Sequence, residues 1–369
     1  MKHYVFKVSV YSVTHFLVDF ACAFLMFRSI AGTPDGYLCV LLYNFCAFAL
    51  QMPLGIIADK LNRNFLVAMI GCILVGLAFG FVYIPVAATI VVGIGNAMFH
   101  IGGGIDILNI SGKKLGALGI FVSPGAFGIY FGTIAGKGDS FLTVLVPITL
   151  ILATGFIFAA HKTNKGSFPK NAEFSLSGGS VGNCGRDSDG KSNSHSDSNS
   201  HSISASAGIK HVFTAIACLF SVVCLRSFAG LALDFPWKSV GHWGAVLICA
   251  VVFGKTLGGF AADRFGLKPT ALISLGLASL MFLFPEIPLI GVAAVLLFNM
   301  TMPITLWAMA KVFPSAKGFA FGLLTFGLFL GFLPVYFGFD VSSAATWLFA
   351  LLAAISLGLL RIGLRRGKL

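Results

Sequence analysis

His15 and Asp19 stand four residues apart in an apolar stretch, so a helix places both on one face. A carboxylate surrounded by hydrocarbon costs several kcal/mol unless it is paired or faces water. Asp19 therefore reads as a proton-carrying acid, with His15 or His100 as its relay. The pair lacks acyl-transfer spacing and is not a complete metal site. A second polar group lies in the glycine-rich run from Gly93 to Asp106, which holds Asn96, His100 and Asp106. In the other half of the chain, Arg226 sits within apolar residues and demands a carboxylate, an anionic substrate or water. Lys255, four residues before Gly259, either snorkels to the membrane surface or serves the site. Asn299 opens a run that continues through Thr301, Pro303 and Thr305.

Neither a cofactor nor a metal is expected from these residues. The glycines 102–104 follow no strand and precede no Gly-Lys-Ser/Thr, so they are not a phosphate loop. They suit close helix packing instead. Eight cysteines show no paired spacing and read as small apolar residues.

The elements that must hold these residues are membrane helices. The chain is 57% hydrophobic and 10% charged, with a mean hydropathy of +0.93. A soluble domain carries about 25% charge, and no soluble core of this size hides so much apolar surface. Spans need about 20 apolar residues. Twelve are readable, near 9–29, 37–58, 65–83, 86–108, 115–135, 141–160, 209–233, 240–261, 269–284, 287–310, 318–339 and 342–360. Alternation at period two is absent, which argues against a β-barrel. Lys2 and Lys7 precede a full-length span without a small-residue cleavage site, so no signal peptide is expected. Residues 162–207 differ sharply, with 13 Ser in 46 residues and few aromatics. That composition predicts a disordered linker.

The net charge of +12 is distributed as topology and not as a nucleic-acid footprint. Of the 25 Lys and Arg, 20 fall in the tails, the linker and one set of loops. The other set holds only Arg28, Lys137 and Lys238. This bias predicts a multi-pass protein of the inner or plasma membrane with both termini cytoplasmic. Lipid is the expected surroundings, no nucleic acid is expected, and a monomer is expected.

The chain also repeats itself. Gly55-Ile-Ile-Ala-Asp59-Lys60-Leu-Asn-Arg63 returns as Gly259-Phe-Ala-Ala-Asp263-Arg264-Phe-Gly266, and a shift of 203 lays Asn96 on Asn299 and Lys114 on Lys317. Such self-similarity indicates duplication. The expected organisation is a six-helix bundle over 1–161, the linker over 162–207 and a second six-helix bundle over 208–369.

Twelve spans as six plus six, a long central linker and Gly-x-x-x-Asp-Lys/Arg after spans 2 and 8 resemble the major facilitator superfamily. His15-Phe-Leu-Val-Asp19, Gly-Asn-Ala-Met-Phe-His100 and Gly254-Lys255-x-x-Gly-Gly-Phe-Ala-Ala-Asp263-Arg-Phe-Gly are similar to its fosmidomycin-resistance branch of drug exporters. The resemblance implies an all-α fold of two pseudo-symmetric six-helix bundles, with a cavity lined by spans 1, 4, 7 and 10. It implies that Asp59, in a motif with Gly55, Lys60 and Arg63, meets the start of span 11 and a base such as Lys113 or Lys114. Gly259, Asp263 and Arg264 would form the matching gate.

The function this implies is secondary active transport of a small anionic or zwitterionic solute or drug by alternating access, proton-coupled and possessing no enzymatic activity. The alternative is a transporter-like sensor that binds solute without net transport. An intramembrane enzyme would need a nucleophile or metal set that the sequence does not display.

Overall fold

The computed structural model describes residues 2–112, 114–138, 141–163, 198–339 and 345–367. Among these, every regular element is helical. Eleven helices are long and apolar enough to cross a membrane, and a shorter apolar helix makes the twelfth. They are α1 His3–Ile30, α2 Gly36–Leu61, α3 Asn64–Phe81, α4 Pro85–Ser111, α5 Gly116–Gly136 and α6 Leu142–Lys162. The second set is α7 Ile209–Ala232, α8 Trp243–Phe265, α9 Leu267–Met281, α10 Pro288–Val312, α11 Lys317–Tyr336 and α12 Trp347–Arg366. The helix of α7 starts earlier, at Ser198, inside the stretch whose composition predicts a linker. Residues 164–197 of that stretch lie outside the described residues.

Packing follows the duplication. In the first set α1 packs on α5 and α6, α3 packs on α4 and α6, and α2 packs on α4. Adding six to each number gives the second set: α7 on α11 and α12, α9 on α10 and α12, α8 on α10. The two sets meet along α2–α11 and α5–α8, a pair of contacts that the same shift exchanges. Large apolar side chains such as Ile148, Ile151, Leu152 and Phe156 of α6 point outward, as a hydrocarbon solvent allows.

Helix ends and breaks position the polar residues. Asn62 closes α2 in the left-handed region, at φ 50°, and Gly266 ends α8 at φ 91°. The two are equivalent under the repeat. Asn is among the few side chains that enter the left-handed region at low cost, whereas Gly266, at ψ 160°, takes a conformation nearly confined to glycine, so the two copies end their helices differently. Inside the membrane, α5 breaks at Ser123 ahead of Pro124. Helix α10 breaks at Met300–Thr301, ahead of Pro303. Proline lacks an amide hydrogen and crowds the preceding turn, so each break exposes backbone carbonyls that need new donors.

Candidate functional site

The broken end of α5 assembles the first part of the site. Three of its carbonyls take side-chain donors: Gly119 O accepts from Ser123 Oγ at 2.6 Å, Phe121 O from His15 Nδ1 at 2.6 Å, and Val122 O from Lys255 Nζ at 3.4 Å. Ser123 Oγ also meets Thr256 Oγ1 of α8 at 2.7 Å. The break therefore fixes His15 and touches the opposite bundle through adjacent residues.

Around His15 the structure gathers Asp19, Asn96 and His100. His15 Nε2 lies 3.2 Å from Asp19 Oδ2 and 2.9 Å from His100 Nε2. His100 Nε2 is 3.6 Å from Asp19 Oδ1, and its Nδ1 donates to Asn96 O at 2.9 Å. Asn96 Nδ2 donates to Asp19 Oδ1 at 3.0 Å. All four residues are buried or nearly so. Gly125 of α5 lies against this cluster. A Cβ there would overlap Asp19 Oδ2 and His15 Nε2 and come within 2.9 Å of His15 Cδ2. The donor atoms of His15, Asp19 and His100 lie within 4.8 Å of one another, a grouping that could hold a metal ion. The pair on α1 is short of a metal set by itself; α4 brings the third donor.

Asp106 does not join this cluster. Its Oδ2 pairs with Lys7 Nζ at 2.8 Å and accepts from the Tyr11 hydroxyl at 2.7 Å, while Asn64 Nδ2 reaches its Oδ1 at 3.2 Å. Lys7, which the charge pattern assigns to the tail, is instead 1% exposed. Its signal lies in the sequence: Lys7, Tyr11, His15 and Asp19 recur every four residues and form one stripe on α1.

In the second bundle Arg226 of α7 is buried and donates through one Nη to Thr301 Oγ1 at 2.9 Å and Thr305 Oγ1 at 3.1 Å. Thr301 lies in the break in α10 and Thr305 one turn beyond it. Among the described residues Arg226 has no carboxylate within ion-pair distance. Asn299 turns aside, donating to Val295 O in its own helix at 2.8 Å. Lys255 reaches the α5 break.

The repeated motifs lie at the face that carries the chain termini. Asp59 Oδ1 accepts from Gly318 N at 2.8 Å and Oδ2 from Phe319 N at 2.9 Å. Asp263 accepts from Leu115 N at 2.6 Å and Gly116 N at 2.8 Å. Gly55 and Gly259 allow the helices to close to this range; a Cβ on Gly259 would sit 2.7 Å from Leu115 O, and one on Gly55 2.9 Å from Phe319 N. Lys317 Nζ donates to Asn109 Oδ1 at 2.7 Å. The side chains of Lys60, Arg63 and Lys114 make no ion pair among the described residues, and Arg264 lies over the ring of Phe265. Lys113 is outside the described residues. A cavity of about 240 Å³ near this face is lined by Tyr4, Val8, Lys114, Ala117, Phe260 and Asp263, apart from the histidine cluster. At the opposite face Tyr37 and Tyr336 stack at 4.3 Å, and each hydroxyl donates to the other's carbonyl, at 3.0 and 2.9 Å.

Comparison with solved structures matches this arrangement over nearly the whole chain. A crystal structure of the E. coli fucose:proton symporter aligns with a TM-score of 0.62 at 15% identity, covering 98% of this chain and 99% of that one. A second structure, of the same major facilitator superfamily transporter in the outward conformation, gives 0.61 at 15% identity with the same coverage. The chain has the major facilitator fold. A bacterial homologue of the iron transporter ferroportin, in its outward-facing state, aligns at 0.58 and 12% identity over 98% of both chains. No protein-family model and no curated protein matches the sequence. Within the major facilitator fold, the His15 cluster, the Arg226 group and the two carboxylate contacts fall on helices that the duplication relates.

Proposed function

We propose that this chain is a secondary transporter that moves a small anionic or zwitterionic solute across the membrane by alternating access, coupled to protons. The observation that carries the reading is Arg226. Its guanidinium is buried in the membrane interior, and its described partners are two neutral hydroxyls. A buried cation is costly unless an anion compensates it, and a planar fork of donors suits a carboxylate or phosphoryl group. The break in α10 supports the assignment, because discontinuous helices of transporters commonly build their solute sites.

Protons would enter at the His15–Asp19–His100 cluster, where two imidazoles and a carboxylate converge. The likeness to a fucose:proton symporter supports coupling, and the resemblance of the His15, His100 and Asp263 segments to fosmidomycin-resistance exporters makes a drug one candidate solute, with the direction of movement left to the flux test. Asp59 and Asp263 would hold the terminal face shut between half-cycles. The test is flux of candidate anions and zwitterions into proteoliposomes under an imposed proton gradient. Accumulation that follows the gradient is expected. Solute binding with no flux under any gradient would replace transport with the sensor function.

A further inference from the structure

The two imidazoles of the α1–α4 cluster are held in one tautomer by the backbone. His15 Nδ1 faces Phe121 O and His100 Nδ1 faces Asn96 O. A carbonyl oxygen only accepts, so each Nδ1 carries its ring's hydrogen. A neutral imidazole has one N–H, which leaves a lone pair on each Nε2. The two Nε2 atoms stand 2.9 Å apart, with carboxylate oxygens of Asp19 at 3.2 Å from His15 and 3.6 Å from His100. The hydrogen-bond donor that Asp19 receives is Asn96 Nδ2, on Oδ1. Three side chains thus crowd electron-pair donors together, and a cation relieves their repulsion.

We infer that His15 Nε2, His100 Nε2 and an Asp19 carboxylate oxygen form a binding site for a divalent transition-metal ion. His15 Nε2 stands 2.9 Å from His100 Nε2 and 3.2 Å from Asp19 Oδ2, close to the roughly 3.3 Å between two ligand atoms that each lie about 2.0–2.1 Å from a tetrahedral metal, and His100 Nε2 is 3.6 Å from the other carboxylate oxygen, Oδ1. An Nδ1–H held by a backbone carbonyl is the usual outer support of a metal-binding histidine. Asn96 supports the carboxylate in the same way. Two imidazoles and one carboxylate suit Zn²⁺, Co²⁺, Ni²⁺ or Fe²⁺ better than Mg²⁺ or Ca²⁺. Three protein ligands leave a coordination position for water or solute. Gly125 keeps α5 clear of that volume, since a Cβ there would fall on two of the three donors. The site does not depend on which solute is moved, but it uses the same side chains as the proposed proton path, so metal and protons would compete for them.

The test uses the purified full-length protein in detergent, stripped with chelator and titrated with Co²⁺ and then Zn²⁺. One Co²⁺ per chain is expected, with the visible ligand-field bands of four- or five-coordinate nitrogen and oxygen ligation, bleached by stoichiometric Zn²⁺. His100→Ala should remove the bands, and Asn96→Ala should weaken binding by about 10–100-fold. The double variant His195→Ala/His201→Ala, in the serine-rich stretch, should bind as the parent does. X-ray absorption of the Zn²⁺-loaded parent should show two imidazoles and no sulfur, which reads the site without any variant. Failure of Co²⁺ to bind, sulfur in the first shell, or binding that survives His100→Ala and disappears in the His195/His201 variant would each overturn the site.

Discussion

Asp59 and Asp263, 204 residues apart, make the same contact in opposite directions. Each carboxylate spans two consecutive backbone amides at the first turn of a helix in the other bundle, Gly318 and Phe319 for one and Leu115 and Gly116 for the other. The recipients are related by the repeat, since 115 and 116 shifted by 203 are 318 and 319. Early amides of a helix lack partners within it and carry its positive end, so a carboxylate is favoured there. Each such contact contributes on the order of 0.3–1 kcal/mol at an exposed site and up to about 2 when partly buried. Two contacts of that size can latch a face and still open on each cycle.

Asp59→Asn and Asp263→Asn keep the side-chain shape but remove the charge and one acceptor. Either change should shift the balance toward opening of the terminal face, and the pair should shift it further. Spin-label distances across that face report the shift, while equilibrium solute affinity stays within a few-fold. Loss of affinity with unchanged distances would remove both residues from the gate.

The fold is readable in the sequence because hydropathy over twenty residues is a one-dimensional property. Twelve apolar runs, the repeat and the gap between the halves are all visible without coordinates. The site is less so. Whether His100 faces His15 or lipid depends on the rotation of α4 about its axis, which advances about 100° per residue. Composition leaves that angle open. Asp106 shows the consequence: it shares a helix and a polarity with His100 but turns to Lys7. Thr301 and Thr305, four apart and on one face, are visible as a pair, but that this face turns to Arg226 is not.

Lys7 and Asp106 form a buried ion pair, 1% and 6% exposed at their side chains. Removing one partner of such a pair strands the other charge and typically costs about 3–5 kcal/mol, whereas replacing both with apolar groups is often neutral. Lys7→Met should therefore lower the thermal unfolding midpoint in detergent strongly, and Lys7→Met combined with Asp106→Leu should recover most of the loss. Equal destabilisation in the single and double variants would show that the network with Tyr11 and Asn64 carries the stability by itself.

Gly125→Ala adds one methyl group where α5 touches α1. The methyl falls on Asp19 Oδ2 and His15 Nε2, so the cluster must open or α5 must withdraw. Coupled transport should fall by at least about tenfold, since displacements near 1 Å at a working site cost up to about a hundredfold. Gly155→Ala of α6, where a Cβ meets nothing within 4 Å, is the control and should transport normally. Parent-like coupling in Gly125→Ala would show that the close approach has no role.

In the proposed cycle Asp19 carries the proton and Arg226 the solute, so their variants should fail differently. Asp19→Asn cannot ionise, so it should abolish gradient-driven accumulation yet retain exchange of solute for solute. Arg226→Ala should weaken solute binding by roughly 10- to 100-fold, the equivalent of a lost hydrogen bond to a charged group. Arg226→Lys keeps the charge without the planar fork and should fall between. Proton movement during solute flux, measured in chelator-treated proteoliposomes, decides the matter. If Asp19→Asn still moves protons with solute at the parent rate, Asp19 is structural, and His100 is the next group to test.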